Sequence, residues 1–324
     1  MEDTVIEVKH LKKYFPVLSN SVFRRKVAEI RAVDDVSFSI NRGETLGLVG
    51  ESGSGKTTLG RCLLLLEKPT GGEVIFKGKN LSRIGSRELQ QERRKIQMIF
   101  QDISTTFDPK RTVTEIISEP IEAYNLLPPA NYGQRVAELL SLVGLNNFLA
   151  GRYPYQLSTG ERQRLSIARA LATNPEFIVC DEPVSALDVS IQAQILRLFE
   201  SLRYRQSLTY FFIGHDLAVV VYISNRIAVM YLGRFHEVGP RKEIFSNPLH
   251  PYTRALLSAI PVPNRAFEKK RQRMVISGEA TSTIYQSLGC NFHPRCPMSI
   301  PICREKSPPL EEKGSGHLVA CWRV

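Results

Sequence analysis

The run Gly50-Glu51-Ser52-Gly53-Ser54-Gly55-Lys56-Thr57-Thr58 satisfies the pattern G-x-x-x-x-G-K-[ST] in full. Before it, Thr45-Leu46-Gly47-Leu48-Val49 predicts a buried strand, and after it Leu59 to Leu66 predicts the start of a helix. Strand, glycine loop and helix in that order call for an α/β core. Glycines let successive backbone N–H groups turn inward around a phosphate, and the helix N-terminus adds its partial positive charge. Lys56 is placed to reach β- and γ-phosphates, and the Thr57 hydroxyl to ligate Mg²⁺. The plain alternative is a glycine-rich turn with a solvated lysine, which leaves the flanking strand and helix unexplained. A nucleoside triphosphate is the expected ligand.

Composition sets outer bounds. The chain has 324 residues, 43% apolar and 23% charged, enough for one main domain and an appendage. Its longest apolar runs, Leu63 to Leu66 and residues 208–213, fall far short of the roughly 18 residues that span a bilayer. Any work at a membrane is therefore expected to go through a partner. Met1-Glu2-Asp3 is acidic and no signal-peptide core follows, so the cytoplasm is the default compartment. The net charge of +11 is spread along the chain, and it decides little among nucleic acid, lipid headgroups and nucleotide.

A second landmark is Glu176-Phe177-Ile178-Val179-Cys180-Asp181-Glu182-Pro183, an apolar strand ending in two carboxylates. Such a strand end, paired with a phosphate loop, supplies a metal partner in Asp181 and a candidate general base in Glu182. Between the two landmarks, the segment of residues 155–164, with Leu157-Ser158-Thr159-Gly160-Glu161 in it, precedes the helical pattern of residues 165–171. Ser158 has the chemistry of an N-cap and Gly160 allows close backbone approach, so a second helix end is available for phosphate. One nucleotide cannot easily occupy both ends within one compact domain. The second end is expected to serve a nucleotide held by another subunit, which points to a dimer.

These segments, in this order, resemble the ATPase subunit of an ABC transporter. The resemblance implies a P-loop NTPase core with an antiparallel β subdomain, a helical subdomain, ATP and Mg²⁺ as ligands, and ATP hydrolysis. Carried over by position, Gln101 is similar to the glutamine that touches Mg²⁺ or water and senses the membrane partner. Ser185-Ala186-Leu187-Asp188 resembles the loop that crosses the dimer interface, His215 the histidine that contacts the γ-phosphate, and Phe15, beside Tyr14, the aromatic that stacks on adenine. The signature departs from the usual Leu-Ser-Gly-Gly-Gln at Thr159 and Glu161. Ser158 and Gly160 are kept, so activity is expected to survive. Thr159 puts a β-branched side chain where backbone must approach phosphate, and it is expected at most to weaken the site built on the partner's phosphate loop.

From about Arg87 to Gln156 the pattern is helical, with Val136–Val143 carrying an apolar face closed by Gly144. The resemblance makes residues of about 87–165 a helical subdomain that receives a short helix of a membrane subunit. The early basic cluster Phe23-Arg24-Arg25-Lys26 suits lipid headgroups or a solvated hairpin equally. Past Gly239-Pro240, the segment Asn247-Pro248-Leu249-His250-Pro251-Tyr252-Thr253 is similar to the tail of ATP-binding subunits of dipeptide, oligopeptide and some nickel importers. This divides the chain into a nucleotide-binding domain, 1–245, and an extension, 246–324.

Of six cysteines, Cys62 and Cys180 lie on core elements and read as packing, whereas Cys290, Cys296, Cys303 and Cys321 share the extension. In a reducing compartment a thiol cluster favours a metal over disulfides. The short cysteine pairs typical of zinc are absent. Irregularly spaced all-cysteine ligation suits a [4Fe–4S] cluster, with zinc or unligated thiols as alternatives. Members of the peptide-import branch with this tail are understood to carry such a cluster. Prolines around the cysteines predict rigid loop, so the extension is expected to be loop-rich, with a bound metal substituting for the core it lacks.

The expected function is therefore ATP hydrolysis driving import of dipeptides or oligopeptides at the cytoplasmic face of the cell (inner) membrane. The resemblance implies a second ABC ATPase subunit in a heterodimer, two transmembrane permease subunits and an extracytoplasmic peptide-binding protein. Nickel import is the alternative within transport. A soluble ABC ATPase acting on nucleic acid or ribosomes is the alternative outside it, encouraged only by charge, and no nucleic acid partner is expected.

Overall fold

The structure is a computed structural model that describes residues 3–19, 25–102, 106–259, 288–314 and 316–324. Phe23 and Arg24 of the early basic cluster lie outside the described residues. The chain divides into two compact units, one of residues 1–5, 41–44 and 83–212, the other of 6–40, 45–82 and 213–324.

In chain order the second of these contributes strands β1 (Thr4–Leu18), β2 (Lys26–Asn41) and β3 (Thr45–Val49), helix α1 (Lys56–Leu63), and strands β4 (Gly71–Phe76) and β5 (Lys79–Asn80). The chain then enters the other unit for α2 (Ser86–Arg93), β6 (Ile96–Ile99), α3 (Val113–Ala123), α4 (Tyr132–Leu142), α5 (Thr159–Leu171), β7 (Phe177–Asp181) and α6 (Val189–Gln206). Strand β8 (Thr209–Gly214) carries it back. There follow α7 (Leu217–Ile223), β9 (Arg226–Tyr231), β10 (Arg234–Pro240), α8 (Arg241–Ser246), α9 (Pro251–Ser258), α10 (Ile302–Glu305), β11 (Glu311–Glu312) and β12 (Leu318–Val319).

The antiparallel subdomain is the sheet β2-β1-β4-β5. Ile6 faces Phe76 and Val8 faces Val74 across β1 and β4, so the period-2 apolar positions of both strands share one buried face. A bulge separates Lys9 from Lys12, and Gly72 at φ +84° lies so close that a Cβ there would meet the His10 carbonyl at 2.3 Å. In the same unit β3, buried at every residue, runs parallel to β9, and β9, β10, β12 and β11 continue antiparallel. A continuous apolar strand is what a position covered on both faces requires.

The other unit pairs β6 and β7 in parallel, Ile96 opposite Phe177 and Ile99 opposite Cys180. Its helices α3, α4 and α5 pack together through Ile116, Ile117, Ile121, Val136, Leu139, Leu140, Leu165 and Ile167, all at most 2% exposed. Each such side chain contributes on the order of 1.5–3 kcal/mol by leaving water. A capping box of Thr112 and Glu115 starts α3, and Gly144, at φ +71°, follows the end of α4.

Three local expectations change. The helix after the phosphate loop starts at Lys56, three residues earlier than apolar spacing indicates, because its first turn is polar and faces the loop. The helical pattern from Arg87 is interrupted by β6, whose short Ile-Gln-Met-Ile run has too few residues for its period to distinguish strand from helix. The cysteine-rich tail is more than loop: α10 and two strands form within it, Val319 and Leu318 of β12 pairing with Glu237 and Val238 of β10. An otherwise open edge of β10 recruits a segment too short to signal itself as a strand.

Candidate functional site

The phosphate loop is built by its glycines. Gly53 and Gly55 adopt φ +76° and +103°, and a Cβ on Gly55 would meet the Ala32 carbonyl at 1.9 Å. This lets α1 begin directly at Lys56, exposing the N–H groups of its first turn toward the loop. Lys56 is 5% exposed, and its Nζ donates to the carbonyls of Gly50 (2.8 Å) and Glu51 (2.9 Å), with Ser54 Oγ at 3.5 Å. A triphosphate offers that ammonium better acceptors. Ser52 and Gly53 are exposed, Ser54 is buried, and Thr57 and Thr58 are half-buried.

Tyr14 and Phe15 sit side by side on β1 with different duties. The Tyr14 hydroxyl donates to Asp34, whose carboxylate also pairs with Arg234 at 2.7 Å. Burial and the Asp34 carboxylate push the Tyr14 phenol up to about 12. Phe15 has no such tether and is half-buried, with Lys13 Nζ 4.6 Å above its ring. His215, following β8, is exposed on the same unit.

In the other unit β7 ends with Asp181 at 2% exposure, and Glu182 turns into the left-handed region at φ +47°. A non-glycine residue there carries strain of about 1 kcal/mol or more, a cost concentrated at working sites. Gln101 Nε2 donates to Glu182 Oε2 at 3.0 Å, so two of the sequence-predicted residues meet directly. Ser158 caps α5 as expected, its Oγ accepting from the N–H of Glu161, and Glu161 returns a carboxylate to the Ser158 N–H at 2.8 Å. Glu161 thus completes a capping box, a structural reason for acid at the signature's fifth position. Thr159 is exposed beside Arg162, and Gly160 lies so close to Ile191 that a Cβ would approach it to 2.9 Å. Asp188 caps α6: the Ser190 hydroxyl and the Ile191 N–H hold its carboxyl below the usual range.

The extension holds contacts that sequence reasoning missed. Tyr252 Oη accepts the Glu51 N–H at 2.9 Å, and Arg295 Nη1 donates to Glu51 Oε2 at 2.8 Å and to Tyr231 Oη at 3.1 Å. Such long-range contacts leave no trace in local spacing, although the His250-Pro251-Tyr252 run draws attention to Tyr252. Glu237, fully buried, accepts the N–H groups of Leu249 and His250 and pairs with His317 Nε2 at 2.7 Å.

Cys290 and Cys303 are buried, Cys296 and Cys321 half-buried, and the Cys290 N–H bonds the Cys303 carbonyl at 2.8 Å. Gly289 permits that approach, since a Cβ there would meet the same carbonyl at 2.2 Å. Burial pushes the Cys290 thiol up to about 11, and the neighbouring Cys303, Cys296 and Cys321 thiols add to the rise. Among the described residues, the one trio of His, Cys and carboxylate side chains with ligand atoms within 4.8 Å of one another is His236, His250 and Cys290. No three of the four cysteine sulfurs lie within 4.8 Å of one another. The histidine trio does not suit a metal. His250 Nδ1 accepts the Tyr252 N–H at 3.1 Å, which places the proton on Nε2, the nitrogen facing His236 Nδ1 at 3.3 Å. Burial also drives His236 down to about 4, keeping it neutral.

Comparison with known proteins decides the family. Residues 33–185 match the model of the ABC transporter family, and residues 236–303 match the oligopeptide/dipeptide transporter C-terminal region. The chain is 50% identical to the oligopeptide transport ATP-binding protein AppF of Bacillus subtilis (strain 168), over 99% of this chain and 97% of that protein. The chain belongs to the ABC transporter ATP-binding proteins. This ABC protein is also 45% identical to a probable peptide ABC transporter ATP-binding protein of Sinorhizobium fredii, over 99% of its own length and 90% of the relative's. Among solved structures, the ATP-binding cassette MJ0796, a dimer in a post-hydrolysis state bound to ADP and Pi, matches with TM-score 0.65 and 29% identity, covering 73% of this chain and 98% of that one. As an ABC ATPase the protein uses ATP and Mg²⁺. Among the described residues, no helix is long and apolar enough to cross a membrane.

Proposed function

We propose that this ABC ATPase powers the import of dipeptides or oligopeptides, working from the cytoplasmic face of the cell membrane as a peripheral subunit. The observation that carries this is the oligopeptide/dipeptide transporter C-terminal region at residues 236–303, together with near full-length similarity to oligopeptide transport ATP-binding proteins. The relatives named above concern peptides, which favours peptide over nickel and over a nucleic-acid role.

In this reading Lys56 and Thr57, with the N–H groups of residues 50–58, hold the phosphates and Mg²⁺, Asp181 joins the metal's ligand shell, and Phe15 stacks on adenine. Glu182, oriented by Gln101, takes the proton of the attacking water, and His215 contacts the γ-phosphate. Ser158, Thr159, Gly160, Glu161 and Asp188 serve a nucleotide on a second ATPase subunit, the pair being a heterodimer. Residues 1–245 form the catalytic cassette and 246–324 its extension. Two permeases and an extracytoplasmic peptide-binding protein complete the assembly. Purification from membranes tests this. The expected result is a complex of this chain, a second ABC ATPase and two membrane-spanning subunits; recovery of the chain with nucleic acid and no permease would contradict it.

The same reading assigns Cys290, Cys296, Cys303 and Cys321 to a [4Fe–4S] cluster, supported by the all-thiolate donor set and by the absence of short cysteine pairs typical of zinc. When bound, the cluster would stitch the extension's loops together. Anaerobically purified protein is expected to carry iron and to absorb at about 400 nm, the region of thiolate-to-iron bands. Zinc in place of iron, or no metal, would remove the assignment.

A further inference from the structure

We propose that Arg295 and Tyr252 are positioning residues for ATP, acting through Glu51 of the phosphate loop. The inference rests on reading residues 50–58 as that loop. Glu51 is held at two points: its N–H by Tyr252 Oη (2.9 Å) and its carboxylate by Arg295 Nη1 (2.8 Å). Its carbonyl in turn receives Lys56 Nζ at 2.9 Å, so the residue the extension grips is also the one that holds the phosphate-binding lysine.

The grip is built. The Arg295 side chain is 10% exposed, lies over the Tyr231 ring with its guanidinium carbon 5.8 Å from the centroid, and donates to the Tyr231 hydroxyl at 3.1 Å. Tyr252 is fully buried, and Tyr231, Tyr252 and Phe292 form one aromatic cluster with centroids 4.9–5.4 Å apart. Within that frame neither Arg295 nor Tyr252 can swing away without opening the cluster. Arg295 also lies between Cys290 and Cys296, on the 3₁₀ turn His293–Arg295.

Charge gives the arrangement its purpose. A carboxylate inside a phosphate loop repels the triphosphate it helps enclose. Arg295 neutralises Glu51 in a partly desolvated setting, where the pairing is screened little by solvent. Removing the guanidinium leaves that negative charge unpaired beside the phosphates. Removing the carboxylate charge as well takes the repulsion away.

The test is calorimetric binding of a non-hydrolysable Mg·ATP analogue to the full-length chain. Arg295→Ala is expected to weaken binding about tenfold, a typical loss for one charge-assisted contact. Arg295→Lys, which keeps the charge, is expected to lose less. The decisive arm is Arg295→Ala combined with Glu51→Gln, expected to bind several-fold more tightly than Arg295→Ala alone. A damaged extension would not be rescued by that second change. Wild-type affinity in Arg295→Ala, or a double variant no better than the single one, would overturn the proposal while leaving the phosphate loop intact. Failure of the wild-type chain itself to bind the analogue would overturn the loop reading and the proposal together.

Discussion

Replacing Glu182 by Gln is expected to lower ATP turnover by about 10²–10⁴-fold, the usual contribution of a positioned general base. The change is nearly isosteric. Gln101 Nε2 donates to Glu182 Oε2 at 3.0 Å, and an amide oxygen at the same place can still accept that bond. The left-handed turn at φ +47° is a property of the backbone leaving β7 and asks the same of either side chain. What disappears is the capacity to take a proton from water. Nucleotide binding is therefore expected to persist while hydrolysis stops, so the assembly should retain Mg·ATP through gel filtration where the wild type releases ADP. Steady-state turnover and the nucleotide content of the eluted complex read the two halves of this expectation. Undiminished turnover would remove Glu182 from its role.

Loss of the Lys56 ammonium acts one step earlier. Lys56→Ala is expected to weaken Mg·ATP binding by roughly ten- to a hundredfold, since hydrogen bonds to charged groups contribute about 1.5–3 kcal/mol. Lys56 is 5% exposed and its ammonium donates to two loop carbonyls, at 2.8 and 2.9 Å. Those carbonyls are weaker partners than a triphosphate is for the ammonium. Its removal also leaves two carbonyls short of a donor, a stability cost of about 1–3 kcal/mol unless water enters. Equilibrium binding of Mg·ATP measures the first effect, and thermal unfolding without nucleotide measures the second. Unchanged affinity would contradict the assignment.

These two residues belong to the part of the protein that the sequence displays openly. The phosphate loop, the Asp181-Glu182 strand end and the Ser158 cap are legible because each uses local chemistry: glycines at positive φ, a buried apolar strand, a hydroxyl before a helix. Glu161 carries a signal that was available but unused, since Ser158 followed three residues later by Glu is the capping-box pattern. Asp188 similarly matches an N-cap ahead of α6.

Other features depend on contacts between segments far apart in the chain. Strand β12 exists because β10 offers it an edge, and two residues have no periodicity of their own. Arg295 reads as one more basic residue among cysteines and prolines until the fold lays it against Glu51, 244 positions away. The four cysteines could be grouped from sequence, whereas the backbone bond between Cys290 and Cys303 required coordinates. The distinct duties of Tyr14 and Phe15 likewise emerge only when Asp34 is seen to hold the Tyr14 hydroxyl.

The central claim is that ATP hydrolysed through Glu182 drives peptides across a membrane. Its most direct test is uptake of a labelled peptide by proteoliposomes containing the intact assembly, with Mg·ATP supplied on the side of this subunit. The account predicts ATP-dependent accumulation with the wild-type chain and almost none with Glu182→Gln. Equal accumulation with both, or steady ATP hydrolysis with no peptide movement, would contradict it.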